Sequence, residues 1–355
     1  MDHPDSKAIE RIIGVKYMPS IHDVARHAGV SSATVSRVLA GNESVDAGLR
    51  ERVVKAVHEL NYRPNKVARS LRVQKSTTIG LVIPDIQNPF YLSIVRAVED
   101  VAYESHYRIF LCNSDEDVEK EALYLNHLLD ENIAGVILSP ARETNTLIAN
   151  QIRRLAETTP VVVLDRRLAG ISLDTVLTNN LEAAYDLVSH LISNGHRSIG
   201  AILGVADITT GRERLDGYIR ALSDQGLPFV PERIIQVIPK EGNGYAAARQ
   251  LLTLPKPPTA LFTGNCELTS GALRAIYDLN LNVPCDIALA GFDDMHWNVI
   301  VQPGITAVAQ PTYEMGRVAA KLLMERLDNP KLPVREVVLK SNLVIRKSSA
   351  FCVDD

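Results

Sequence analysis

SIHDVARHAGVSSATVSRVLAG, residues 20–41, decides how this 355-residue chain is read. Ser20 followed three residues later by Asp23 is a capping box, so a helix is expected to begin near Ile21. Ile21, Val24, Ala25 and Ala28 fall on one face of it, and Gly29 supplies the tight turn between two crossed helices. Ser31 is a good N-cap for a second helix running to about Leu39, with Val35, Val38 and Leu39 turned inward. That leaves Ser32, Thr34, Ser36 and Arg37 on the outer face. Short polar side chains there can approach base edges, and Arg37 can reach a phosphate or a guanine. Asp46 caps a third helix in which Leu49, Val53, Val57 and Leu60 repeat at core spacing. The pattern is that of a small all-α helix-turn-helix head.

Charge separates this head from the rest of the chain. Residues 18–75 carry a net charge of +5 and residues 76–355 a net charge of −9. A basic head on an acidic body suits a module that meets phosphates.

The run DVARHAGVSSATVSRVL, the later LNYRPNKVARSL and strand-end residues farther on together resemble the lactose-repressor (LacI/GalR-type) family of bacterial transcription regulators. The resemblance covers about residues 20–347. It implies a DNA-binding surface of Ser20, Ser31, Ser32, Ala33, Thr34, Ser36, Arg37 and Asn42. It also implies a hinge segment that folds on DNA, where Asn65, Lys66 and Ala68 flank Leu71, an apolar wedge for the minor groove. One head reads only a short half-site, so a homodimer on a pseudo-palindromic double-stranded operator is expected.

Working outward, residues 1–17 precede the family pattern. They are expected to be a loosely ordered extension, or Met18 is the natural start. The head is placed at 18–63 and the hinge at 64–76. From Thr77 the period changes to short apolar runs alternating with helices: TIGLVI, YRIFLC, AGVIL and VVVLD, then RSIGAIL, RIIQVI, TALFT and DIALAG. Fully apolar short strands between helices indicate parallel sheets covered on both faces. Two doubly wound halves are therefore expected over 77–350. The resemblance makes them two subdomains of a periplasmic-binding-protein-like core, with crossing connections. The first would be 77–177 with 310–333, and the second 178–309 with 334–347.

In such sheets ligands sit beyond the carboxyl ends of the strands. Asn88, Phe90, Tyr91, Asp165 and Arg166 stand there in the first half, and Arg212, Arg214, Asn265 and Asp293 in the second. The residues matching the family's effector contacts are Asp165, Arg214, Asn265 and Asp293, with Phe90 and Tyr91 as an aromatic wall. Trp297 is either a stacking partner or a core ring. Carboxylates, an amide and a guanidinium fork suit a hydroxyl-rich effector, a sugar or a sugar acid. Arg142, Arg166 and Arg167 are the positive charges that would favour the acid, and DDMHW (293–297) loosely resembles branches that sense gluconate-like acids. Cys266 departs from the family, which often has Asp at this position.

Other classes find less support. Gly242-Asn-Gly244-Tyr-Ala-Ala247 has dinucleotide-loop spacing but begins four residues past Ile238. No acidic partner follows about 20 residues on, so it reads as a flexible lip and helix start. No nucleophile elbow, P-loop or metal-binding histidine pair is present, so neither an enzyme nor a cofactor is expected. No apolar run approaches the roughly 20 residues of a membrane span and no signal peptide opens the chain, against an exported solute-binding protein. The four cysteines lack metal spacing and are expected as free thiols in the cytoplasm. After Arg346 the chain ends in KSSAFCVDD without leucine heptads, which in this family predicts a dimer rather than a tetramer.

Overall fold

A computed structural model describes residues 19–39, 41–42, 44–62, 76–144 and 146–352. The chain divides into two units, 1–75 and 76–355. The extension at 1–17 and the hinge residues Asn65, Lys66, Ala68 and Leu71 lie outside the described residues.

The first unit contains three helices, α1 (Ile21–Ala28), α2 (Ser32–Leu39) and α3 (Ala47–Glu59). The Ser20–Asp23 capping box forms as expected, and Gly29 ends α1 at φ 63°, a left-handed angle that needs glycine's missing Cβ. Val24, Val35, Val53 and Ala56 close a small core between the three helices. Asp46 caps α3 by accepting from the Gly48 and Leu49 amides, and His27 on α1 meets Glu59 on α3 at 2.7 Å.

The second unit is two lobes of the same design. The first lobe holds β1 (Thr78–Ile83), α4 (Pro89–Glu104), β2 (Arg108–Asn113), α5 (Val118–Asp130), β3 (Gly135–Leu138), α6 (Thr146–Ala156), β4 (Val161–Leu164) and β5 (Asp174–Thr178). The second holds α7 (Asn180–Ser193), β6 (Ile199–Gly204), α8 (Thr209–Asp224), β7 (Ile234–Val237), α9 (Glu241–Leu252), β8 (Ala260–Thr263), α10 (Cys266–Asp278), β9 (Ala288–Phe292) and β10 (Thr306–Ala309). The chain then returns through α11 (Thr312–Asp328) and β11 (Glu336–Leu339) to the first lobe, and ends on β12 (Asn342–Val344) in the second.

The sheets run β11-β5-β4-β3-β1-β2 and β12-β10-β9-β8-β6-β7. All pairings are parallel except β10 with β12. Alternation along the strands feeds two apolar layers per sheet. Ile79, Leu81 and Ile83 pack under α4 and α11, while Val82 packs with α5 and α6. The second sheet does the same with α7 and α8 on one face and α9 and α10 on the other. Each fully buried Leu, Ile or Phe in these layers contributes about 1.5–3 kcal/mol relative to exposure.

Three expectations need correcting. Residues 336–339 pair with β5 in the first sheet, so the return to the second lobe comes at about residue 340, not 334. The segment Gly242–Gly244 is the expected helix start, the first turn of α9, but not a lip, since a Cβ on Gly244 would come within 2.8 Å of Leu268 Cα. Cys285 and Cys352 are joined in a disulfide, their Cα atoms 5.0 Å apart, because the tail after β12 folds back against the loop before β9. Cys112 and Cys266 are free and buried. Among the described residues, no helix is long and apolar enough to cross a membrane.

Candidate functional site

The chain crosses between the lobes three times, after β5, β10 and β11. A narrow cleft lies between the strand ends of the two lobes. Phe90, Tyr91, Asp165, Arg214, Asn265 and Asp293, the residues singled out from the sequence, all line it. Trp297 does not. It packs beside the apolar layer formed by α9, α10 and β9.

Asp165 and Asp293 occupy equivalent places, each directly after the third strand of its sheet (β4 and β9). Each is in the left-handed region, at φ 66° and 71°. Each amide donates to the adjoining strand, Asp165 to Val176 O and Asp293 to Val308 O. The backbone therefore turns abruptly and presents the carboxylate to the cleft. Left-handed conformations in such non-glycine residues are strained and persist where the surroundings over-determine them.

Their partners differ. Tyr91, buried on α4 with its ring edge-on to Phe90, donates its hydroxyl to Asp165 Oδ2 at 3.0 Å. Asp165 Oδ1 is buried and has no partner in the protein. Burial raises the Asp165 carboxyl above the ordinary value, while Arg166 and Arg214 work the other way. Asp293 accepts from the Cys266 amide at 3.1 Å and from Gln310 Nε2 at 2.6 Å. Gln310 also accepts from Thr178, so it ties a cleft carboxylate to the lobe crossings. Asn265 caps α10 through Oδ1, which accepts from Leu268 N, and this leaves its amide nitrogen as the donor for the cleft. Cys266 fits the departure from the family without an ion: its thiol, 3.2 Å from Asn88 Oδ1, is pushed well up by burial and then by Asp293 and Glu267.

The arginines are already committed. Arg214 lies 4.0 Å over the Phe292 ring, with Nε bonded to Asn180 Oδ1 and Nη1 to Gly264 O. Burial works against the Arg166 charge, but the Glu116 carboxylate, in a two-pronged contact at 2.6 and 2.9 Å, holds it protonated. Arg142 faces Glu116 and Asp207, and Arg167 faces Glu213 and Glu336. The sugar-acid expectation took its positive charge from Arg142, Arg166 and Arg167, beside the DDMHW likeness. Paired carboxylates neutralise all three arginines.

Just behind this wall Glu121 is fully buried, with Oε2 accepting from Ala141 N and Oε1 unpartnered. Burial raises its pKa from 4.5 to about 7. Between these two values the native state holds a proton that the unfolded chain has lost, so stability falls as pH rises and levels off above about 7. Glu121→Gln should leave the melting temperature nearly unchanged at pH 5. At pH 8 it should stabilise the core by about 3 kcal/mol, and a gain of equal size at both values would contradict the argument.

In the head, Ala33 and Arg37 are exposed and Ser32, Thr34 and Ser36 partly so, leaving one face of α2 open. Ser31 spends its hydroxyl capping Thr34 N at 3.1 Å, and Ser20 spends its own on Asp23. Asn42 holds the following turn by accepting from Ser44. These three residues shape the head before they touch anything else. Sequence reasoning missed Gln310, although it stands at a strand end like the others. The rule that found Asp293 would have found it had the crossing after β10 been searched.

Comparison with known proteins agrees with both units. Residues 20–65 match "Bacterial regulatory proteins, lacI family", and residues 188–349 match "Periplasmic binding protein-like domain". The transcriptional regulator RegA of Clostridium saccharobutylicum is 38% identical over 333 residues, 93% of this chain and 99% of RegA. The chain belongs to the LacI family of bacterial transcription regulators. Two solved structures extend the likeness. The lac repressor dimer bound to operator and anti-inducer superposes with a TM-score of 0.81 at 26% identity, covering 94% of this chain and all of that one. The CelR–cellobiose complex gives 0.71 at 29%, covering 93% and 99%. This LacI-family member is thus a DNA-binding regulator with an effector-binding core, and its relatives are regulators rather than enzymes.

Proposed function

We propose that this regulator is a cytoplasmic repressor that binds a pseudo-palindromic operator as a homodimer and takes a small, uncharged sugar in its cleft. The charge balance of the cleft carries the effector reading. Four charged side chains line the cleft, Asp165, Asp293, Arg166 and Arg214, and Glu116 behind them cancels Arg166. The balance is net negative, which repels an acid. The buried Asp165 Oδ1 and Arg166 Nε both lack hydrogen-bond partners, Arg166 Nε standing 3.8 Å from Asp165 Oδ2. A hydroxyl donates and accepts at once, so a sugar can satisfy an orphan carboxylate oxygen and an orphan guanidinium N–H together. The relatives are in keeping with this, since CelR was solved with cellobiose.

Dimerisation is supported by the first sheet's edge. On β2, Phe110 and Leu111 are 49% and 37% exposed, and Tyr103 on the neighbouring α4 is 76% exposed. An apolar edge strand left bare invites pairing with another chain. The lac repressor structure is a dimer on operator, in line with the two-head requirement.

Two measurements test the proposal. Gel shift against genomic fragments should find a specific palindromic site, and its absence would remove the regulator reading's operator. Thermal shift against neutral monosaccharides, disaccharides, sugar acids and sugar phosphates should respond to a neutral sugar. A response confined to the acids or phosphates would overturn the effector class.

A further inference from the structure

The two lobes meet through two unequal sets of contacts. In one set both lobes supply both signs. Arg142 Nε lies 3.1 Å from Asp207, Arg212 pairs with Glu143, and two amides cross the cleft, Glu143 N to Asp207 O at 2.8 Å and Arg167 N to Thr209 Oγ1 at 3.0 Å. In the other set the ionic closure rests on Lys240. Its Nζ stands 2.6 Å from both Asp85 Oδ2 and Asp115 Oδ1 of the first lobe.

The setting of Lys240 makes that contact matter. It precedes α9 directly and follows Pro239, which lines the cleft. The carboxylates nearby are Asp85 and Asp115 on the first lobe and Glu241 and Glu267 on the second, with Glu241 bridged to Arg274. Burial raises the Glu267 carboxyl, and the charges of Asp85 and Glu241 add to it, so like charges already crowd this side. Without the ammonium, closure here would press acid against acid.

The clasp is also wired to the effector site. Asp115 and Glu116 are consecutive left-handed residues, at φ 58° and 59°. That unusual pair aims neighbouring side chains in opposite senses, Asp115 to Lys240 and Glu116 to Arg166, whose Nε is 3.8 Å from Asp165. Two strained residues in succession are held only where both ends are anchored.

We infer that Lys240 is a positioning residue that gates the effector cleft: its double carboxylate clasp holds the lobes shut and, through Asp115–Glu116, is linked to the Arg166–Asp165 anchor. The link to the effector rests on the function proposed above. The clasp itself does not, so it is tested without any effector. Hydrogen exchange on the ligand-free full chain should be followed in peptides containing the Glu143 and Arg167 amides, which lose their acceptors when the lobes part. Lys240→Met should speed their exchange about tenfold at low salt, and Lys240→Arg should retain protection. Asp115→Asn, an exposed change that spares the fold, should give a smaller increase. Added salt should speed exchange in the wild-type protein by a larger factor than in Lys240→Met. In the variant, screening loosens only the remaining Arg142–Asp207 and Arg212–Glu143 pairs and relieves the crowded acids. Wild-type protection in Lys240→Met, or an undiminished salt response in it, would overturn the clasp whatever the sugar panel shows.

Discussion

Arg166→Met should destabilise the core by about 3–5 kcal/mol, the range for removing one partner of a buried ion pair. Arg166 and Glu116 are 5% and 6% exposed and joined by two hydrogen bonds, with Arg166 also donating to Pro140 O. Methionine fills most of the volume but leaves the Glu116 carboxylate desolvated, with Arg142 at 3.4 Å as its remaining ionic partner. Arg142 can draw closer, so the loss is expected toward the lower end of the range. The double change Arg166→Met/Glu116→Leu removes both charges and should recover most of the loss, because the cost lies in the stranded charge rather than in the missing bond. For a unit of this size the single variant should melt roughly 10 °C lower. A drop of only a degree or two, with no recovery in the double variant, would show that water or Arg142 already solvates Glu116.

That pair also marks where sequence reading stops. Asp165, Arg214, Asn265 and Asp293 could be placed at the cleft because each follows an apolar strand, and strand ends in a doubly wound sheet face one edge. Glu116 could not, because its partner is 50 residues away and the contact needs two successive left-handed residues. No propensity rule assigns those to Asp-Glu. The core helices between β1 and β9 fall between the apolar runs as expected, since apolar spacing is a local signal. β11 went to the wrong lobe for the opposite reason. EVVL is a short strand of alternating exposure that would suit the edge of either sheet, and only tertiary pairing chooses β5. Gly244 mimics a phosphate-loop glycine because close helix packing and close phosphate approach both demand a missing Cβ, whereas a Cβ on Gly242 would meet nothing within 4 Å. The disulfide joins residues 67 apart, and neither cysteine's surroundings reveal the other.

Arg214→Ala should weaken the effector response at least about 100-fold, or about 2.7 kcal/mol, while leaving effector-free operator binding intact. The guanidinium is 6% exposed, and burial lowers its pKa while Asp293 and Asp165 pull it back up. It is the cation left to balance those carboxylates once Glu116 has taken Arg166. Alanine therefore removes a donor to the ligand and also leaves two acids facing each other across the cleft. Arg214→Lys should fail nearly as badly. An ammonium keeps the charge but cannot hold Asn180 Oδ1 and Gly264 O with a planar fork while lying flat on Phe292. Calorimetry with the sugar found by the thermal screen reads the binding loss, and a gel shift with and without that sugar reads the response. Asp293→Asn serves as the control for charge, since it removes one acid at matched size. Its oxygen can keep the Cys266 amide, and Gln310 can flip to accept from the new amide nitrogen because the Thr178 hydroxyl can donate or accept. If Asp293→Asn in the Arg214→Ala background restored binding, Arg214 would act by neutralising the cleft. If it did not, the fork itself makes the contact with the effector.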